Sequence, residues 1–177
     1  MIKRRVSMQE RLGVITFKGN PLTLLGPEIK VGDTAPAFKL LNNSLQEVTL
    51  DQFKGKTLIL SVAPSLDTPV CSMQTHKFNK AIGTLPSGIE VLTITADLPF
   101  AQARFCGAEN IQIKTLSYHR DLAFGNAYGT HIKELRLEAR SVFVVGKDGK
   151  VKYAQIVKEV TEEPDYEKAL EAAKVNA

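Results

Sequence analysis

An α/β sandwich around a mixed sheet is the fold class that this 177-residue chain predicts, and three observations carry the prediction. TLILSVA (Thr57–Ala63) and IEVLTITA (Ile89–Ala96) are nearly unbroken apolar and β-branched runs, as strands buried on both faces are. SVFVV and VKYAQIV flank Lys147-Asp148-Gly149-Lys150, and Asp-Gly supplies the positive φ that a tight hairpin turn requires. EPDYEKALEAAKV, acid-started and alanine-rich, closes the chain as a helix. Strand–helix alternation followed by an antiparallel hairpin makes a mixed central sheet flanked by helices.

The remaining elements follow in order. Val14 to Phe17 and Leu22 to Leu25 surround Gly19-Asn20-Pro21, which predicts an N-terminal β-hairpin. Gly32 to Pro36 reads as loop, and Val48 to Leu50 as a short strand before a turn at Gly55. Pro64 ends the first buried strand. Val70, Met73, Phe78, Ala81 and Ile82 recur at helical spacing, and that helix stops near Gly83. Pro99 to Cys106 is a second helical stretch ending at Gly107, Ile111 to Leu116 a third strand, and Leu122 to Tyr128 a short helix. No repeat, low-complexity tract or linker interrupts the series, so a single domain over residues 1–177 is expected, with residues 1–12 as a flexible or extended lead-in.

Composition narrows the function classes. With 44% hydrophobic and 24% charged residues, the chain is an ordinary soluble globular protein that needs no metal or disulfide staple to fold. The net charge of +4 rests largely on Lys3, Arg4 and Arg5, and aromatics are only 7%, which does not make a basic, aromatic-interleaved nucleic-acid face. There is no apolar run after the basic N-terminus and none of membrane-spanning length. No Gly-rich phosphate loop, nicotinamide or flavin fingerprint occurs, and no cofactor is expected. Two cysteines 35 residues apart (Cys71 and Cys106) are not a secreted disulfide framework, so a cytoplasmic location is favoured, where a cysteine pair means redox or metal chemistry more often than a permanent staple.

Cys71 sits in PSLDTPVC, where a strand gives way to a helix, the place at which α/β sheets gather ligands. Thr68 suits the N-cap and Pro69 the first helical position, which puts Cys71 in the first turn. There, unpaired backbone N–H groups and the positive end of the helix dipole favour a thiolate. Ionisation alone gains about 30-fold over an ordinary thiol at neutral pH, so a large acceleration needs donors aimed at the leaving group. A thiolate oxidised by one oxygen atom becomes a sulfenic acid, which condenses with a second thiol, and Cys106 is the other thiol present. A disulfide needs Cα atoms within about 7 Å. Since the two cysteines begin on separate helical segments, joining them is expected to unwind one segment or both.

Blander readings stand beside these. Either cysteine could be an inert core residue, Thr68 an N-cap alone, Pro64 a strand terminator, and Arg140 a surface residue entering a strand and pairing weakly with Glu138. His76, His119 and His131 raise a Cys–His hydrolase, yet His76 lies about 140° around the helix from Cys71. Paired zinc-ligand spacings are absent, so no metal is expected. Phe100, Phe105 and Phe124 read as core or pocket lining.

PSLDTPVC fits the P-x-x-x-T-x-x-C pattern of the peroxiredoxins, and ADLPFAQARFCGAEN, NAYG, EARSVFVV and EEPDYEKAL are similar to the thiol peroxidase branch, the atypical two-cysteine peroxiredoxins. The resemblance runs from FKGNPLTLLG to the C-terminal helix. It implies a thioredoxin-like fold with an extra N-terminal hairpin. It further implies that Cys71 is the peroxidatic cysteine and Cys106 the resolving one. Thr68 would bond the sulfur and the peroxide, Pro64 shield the site from water, and Arg140 pair with thiolate and substrate. Pro69 stands where the family commonly has a small residue, and it stiffens the loop. The same resemblance implies hydrogen peroxide and organic hydroperoxides as substrates, thioredoxin as reductant, and a homodimer.

Two other functions compete. A dithiol–disulfide oxidoreductase acting on proteins would ordinarily carry C-x-x-C, which is missing here. A redox-responsive binding or chaperone-like protein would use oxidation to alter a surface, and consumption of peroxide separates it from an enzyme.

Overall fold

In the computed structural model, which describes residues 8–177, the chain opens with β1 (Glu10–Phe17) and β2 (Asn20–Leu25), the expected hairpin. The basic Lys3, Arg4 and Arg5 lie outside the described residues, while Glu10 to Leu12 of the expected lead-in already pair as strand. There follow β3 (Lys39–Leu41), β4 (Glu47–Thr49), β5 (Thr57–Val62), α1 (Pro69–Ala81), β6 (Ile89–Thr95) and α2 (Pro99–Glu109). The second half holds β7 (Lys114–Ser117), α3 (Ala123–Tyr128), β8 (His131–Ile132), β9 (Leu137–Glu138), β10 (Ser141–Val145), β11 (Val151–Ile156) and α4 (Tyr166–Val175).

Among the described residues these strands form a seven-stranded sheet in the order β11-β10-β5-β6-β7-β3-β4 and a smaller sheet in the order β1-β2-β8-β9. β5, β6 and β7 run parallel, and β10, β11, β3 and β4 add antiparallel neighbours, which is the mixed sheet expected. β5 lies inside the sheet between β10 and β6, and its side chains alternate between two cores. Leu58, Leu60 and Val62 pack with Phe124, Tyr128 and Phe143 on one face. Ile59 packs on the other with Phe78 of α1, Phe105 of α2 and Ala169 of α4. Both faces being covered, the strand reads as a continuous apolar run.

Several boundaries differ from the sequence reading for local reasons. α2 runs through Gly107 and stops at Asn110, whose φ of 53° is the left-handed C-terminal geometry that Asn tolerates. The third strand is Lys114–Ser117, because Ile111 and Ile113 bury their side chains in the helix-side core from the preceding loop. In α1 the buried positions are Cys71, Gln74, Thr75 and Phe78, whereas Met73 is 43% exposed. The face turned inward is thus partly polar, and an apolar count misplaces it. Phe105 and Phe124 are core as expected, but Phe100 is 66% exposed. β3, β8 and β9 are too short to show a period-two pattern and were not foreseen. Among the described residues no helix is long and apolar enough to cross a membrane.

The smaller sheet is fixed to the larger one beside the site described next. Thr16 donates its N–H to the Lys158 carbonyl at 2.7 Å and accepts from the Val160 N–H at 2.9 Å. The Glu159 carboxylate accepts from the Thr16 hydroxyl and from the Lys18 and Gly19 N–H groups. Residues 158–160 are thereby held against the tip of the β1–β2 hairpin.

Candidate active site

β5 ends just before Pro64, and the Ser65–Thr68 loop carries the chain into α1. Thr68 occupies the N-cap position with extended backbone, and Pro69 follows at the first helical position, as expected. Its side chain does not cap, however. The Thr68 hydroxyl is turned to Cys71, 2.6 Å from Sγ, and lies 3.2 Å from the Ser65 carbonyl. A residue type chosen for capping has been redirected onto the sulfur.

Arg140, immediately before β10, is not the surface residue of the blander reading: it is 2% exposed. Its Nε and Nη2 donate to the Val160 carbonyl at 3.2 and 3.1 Å, Nη1 donates to Gln74 Oε1 at 2.7 Å, and Nη2 reaches Cys71 Sγ at 3.3 Å. Gln74 is held in turn by donating to the Ser61 hydroxyl at 2.8 Å and the Val62 carbonyl at 3.3 Å. The sequence reading missed Gln74. Its signal was position: three residues after Cys71, it lies on the same helix face.

Among the described residues, none of the acceptors of this buried guanidinium is a carboxylate. Glu163 lies close enough for the guanidinium charge to help hold its carboxyl below the ordinary range, after its bonds to Lys77 and Tyr166, but it makes no hydrogen bond to Arg140, so the donor aimed at Cys71 Sγ is not occupied by a carboxylate. With it, the Thr68 hydroxyl and the first turn of α1 favour negative charge at the sulfur.

Cys71 itself has no exposed surface. Its partners Thr68 and Arg140 also line an apolar pocket of about 350 Å³, walled by Pro64, Val70, Leu137, Val160 and the hairpin residue Phe17, which Cys71 itself does not reach. Pro64 is buried there, between the end of β5 and the pocket. The structure therefore gathers Cys71, Thr68, Pro64 and Arg140 into one place.

Cys106 is elsewhere, in the last turn of α2. Its carbonyl accepts the N–H of Ile111 at 2.9 Å, its Sγ lies 3.5 Å from the Thr115 hydroxyl, and Asn43 approaches at 4.0 Å. Both cysteines are free thiols. Of the histidines, His76 pairs with Glu109 at 3.2 Å and His119 Nδ1 lies 2.9 Å from the Ser117 hydroxyl. His131 is buried 3.7 Å from Glu138, which also accepts from the Thr130 hydroxyl. Among the described contacts none reaches Cys71, and nothing supports a Cys–His pair.

A thioredoxin-like sheet with a half-polar helix presenting one sulfur to a buried arginine defines a class of thiol-based oxidoreductases. Residues 30–170 match the redoxin family, and the chain belongs to it. Its relatives carry a more particular name. It is 59% identical over 161 residues to "Thiol peroxidase" of Halalkalibacterium halodurans, covering 90% of this chain and 96% of that one. It is 58% identical to the protein of the same name from Bacillus subtilis, with the same coverage. A peroxiredoxin-like protein from Aquifex aeolicus superposes with a TM-score of 0.85 at 41% identity, covering 96% of this chain and 99% of that one. The resemblance read from the motifs, and the thioredoxin-like fold it implied, are both borne out.

Proposed function

We propose that this chain is a thiol peroxidase in which Cys71 attacks the peroxide O–O bond. The observation that carries the reading is the convergence of Thr68 Oγ1 and Arg140 Nη2 on Cys71 Sγ, from a guanidinium whose other hydrogen-bond acceptors are the neutral oxygens of Val160 and Gln74. The thiolate takes the distal oxygen and becomes a sulfenic acid, and the other oxygen leaves as water or alcohol after gaining a proton. Charge grows on that leaving oxygen, and Arg140 with the Thr68 hydroxyl supplies donors for it. Because the sulfur is closed over, peroxide enters by displacing the turn at Thr68–Val70. The apolar wall of the pocket suits organic hydroperoxides as well as hydrogen peroxide.

Cys106 then acts as the resolving thiol, forming a disulfide with Cys71 and releasing water. The reduced arrangement seats the two sulfurs with separate partners, Thr68 and Arg140 for one, Thr115 and Asn43 for the other. Resolution therefore follows local unwinding of the turns that carry them. Thioredoxin in the cytoplasm is the reductant proposed on family grounds, and a homodimer the assembly.

Peroxide consumption with thioredoxin, its reductase and NADPH tests the scheme. Cys71→Ser abolishes turnover, while Cys106→Ser supports one stoichiometric oxidation and then stalls. One equivalent of peroxide yields a Cys71–Cys106 linked peptide by mass spectrometry. Turnover by Cys71→Ser would overturn the assignment.

A further inference from the structure

Asp97 lies in the loop between β6 and α2, one residue before the N-cap of the helix that carries Cys106. Its side chain, however, reaches across to the loop that carries Cys71. Asp97 Oδ1 accepts from the Ser65 hydroxyl at 2.6 Å, and Oδ2 accepts from the Leu66 N–H at 2.7 Å and from the Thr95 hydroxyl at 2.7 Å. Its own carbonyl accepts from the Ser117 hydroxyl at 2.6 Å, which ties the same residue to the end of β7. Leu66, thus held, is 2% exposed and packs in the core shared with Phe78 of α1, Phe105 and Cys106 of α2. One turn beyond, Arg104 meets Asp67 at 3.3 Å, but both side chains are two-thirds exposed and that pair contributes little.

We propose that Asp97 is a positioning residue that clasps the Cys71 loop to the start of the Cys106 helix, so that its release sets the rate at which the oxidised enzyme forms its disulfide. This rests on the peroxidase reading given above. Carboxylate bonds to a hydroxyl and a backbone N–H are charge-assisted and strong. They must break before the loop leaves its place, because Ser65 and Leu66 stand only a few residues from Cys71 along the chain. Once formed, the sulfenic acid has two fates. If the loop opens, the Cys71 S–O bond breaks, an S–S bond to Cys106 forms, and the hydroxyl leaves as water with the Cys106 thiol proton. If the loop stays closed, a second peroxide transfers an oxygen atom, giving the sulfinic acid and water or alcohol. Clasp strength therefore partitions the enzyme between turnover and inactivation.

The test uses Asp97→Asn, which removes the charge, and Ser65→Ala, which removes one donor and leaves Asp97 intact. In both, disulfide formation after a single peroxide pulse, followed by rapid quench and mass spectrometry, accelerates by about tenfold, the scale of one lost charge-assisted bond. The sulfinic fraction after excess peroxide falls in parallel. Amide exchange at Leu66, measured without peroxide, rises by a similar factor, a readout independent of any chemistry at Cys71. Glu90→Gln, which removes the surface partner of Lys56 and Lys114 far from the clasp, leaves the rate of disulfide formation unchanged and controls for general destabilisation. Wild-type disulfide rate and Leu66 exchange in both clasp variants overturn the proposal, and so does slower disulfide formation. A wild-type protein that never forms the sulfenic acid overturns the peroxidase reading instead, and the exchange result still reports whether the clasp exists.

Discussion

Arg140 Nη2 stands 3.3 Å from Cys71 Sγ, and the guanidinium is bonded to two neutral carbonyl-type oxygens besides, those of Val160 and Gln74. The sulfur is thus the one group in its described hydrogen-bond set able to become an anion. Arg140→Met keeps the volume and deletes the charge. Peroxide reduction at neutral pH falls by about 10²- to 10³-fold, the scale of one lost preorganised donor, whereas iodoacetamide alkylation falls by no more than about 30-fold, the limit that ionisation sets. The denaturation midpoint falls as well, because the Val160 carbonyl and Gln74 Oε1 lose their buried donors, so rates are compared where the variant is fully folded. An unchanged peroxide rate contradicts the role.

Thr68 separates capping from chemistry. Its hydroxyl serves Cys71 and accepts no cap bond from the helix N–H groups. Thr68→Val therefore lowers the second-order rate with peroxide by about tenfold or more, yet leaves stability within about 0.5 kcal/mol, whereas a lost N-cap typically costs ~1 kcal/mol. Thr68→Ser restores the rate. Stopped-flow oxidation and urea titration of the three proteins check both halves.

Glu159 makes the hairpin's attachment acid-sensitive. The Thr16 hydroxyl above all, then the Lys18 and Gly19 N–H groups and the Thr161 hydroxyl, hold its carboxyl down to about 2. A carboxyl depressed in the folded state stabilises above its unfolded value of roughly 4.3 and loses that contribution as the pH falls toward 2. Wild type exceeds Glu159→Gln in urea midpoint at pH 6, and the difference closes across this acid window. A gap independent of pH contradicts the linkage.

All four tyrosines titrate above the ordinary phenol range. Burial is the main cause in each, and at Tyr118 the Glu138 carboxylate adds to it. Folded groups raised in this way stabilise below the unfolded value of roughly 10 and cease to do so as pH climbs past it. Absorbance at 295 nm shows the phenolates of Tyr118, Tyr128 and Tyr166 appearing only together with loss of far-UV circular dichroism. Early, non-cooperative ionisation of these three contradicts this.

Gly129 closes α3 with φ of 66°, and a Cβ there would sit 1.8 Å from the Pro27 carbonyl oxygen. Arg11 also donates to its carbonyl. Gly129→Ala is both strained and overpacked, and costs upward of about 2 kcal/mol in urea denaturation.

Much of this protein is written in short-range pattern. Buried strands at Thr57 and Ile89, the Asp-Gly hairpin and the alanine-rich closing helix each satisfy a local rule of period or turn chemistry, and each is present. Cys71 in a first helical turn follows in the same way from Thr68 and Pro69. Gln74 and Thr75 show where pattern fails. Polar residues turn inward only when partners await them, and those partners, the Ser61 hydroxyl and Val62 carbonyl for Gln74, come from a strand about a dozen residues earlier.

Residue type and spacing by themselves determined the sheet class, the two cysteines and the helix start that holds one of them. The family resemblance named Arg140, but only the tertiary structure shows it, 69 positions away, buried against that sulfur, and shows Asp97 bridging the two cysteine-bearing segments. Hydrogen bonds and charge pairing depend on distance in space to a few tenths of an ångström, and the chain's linear order encodes no such distance until its strands are packed side by side.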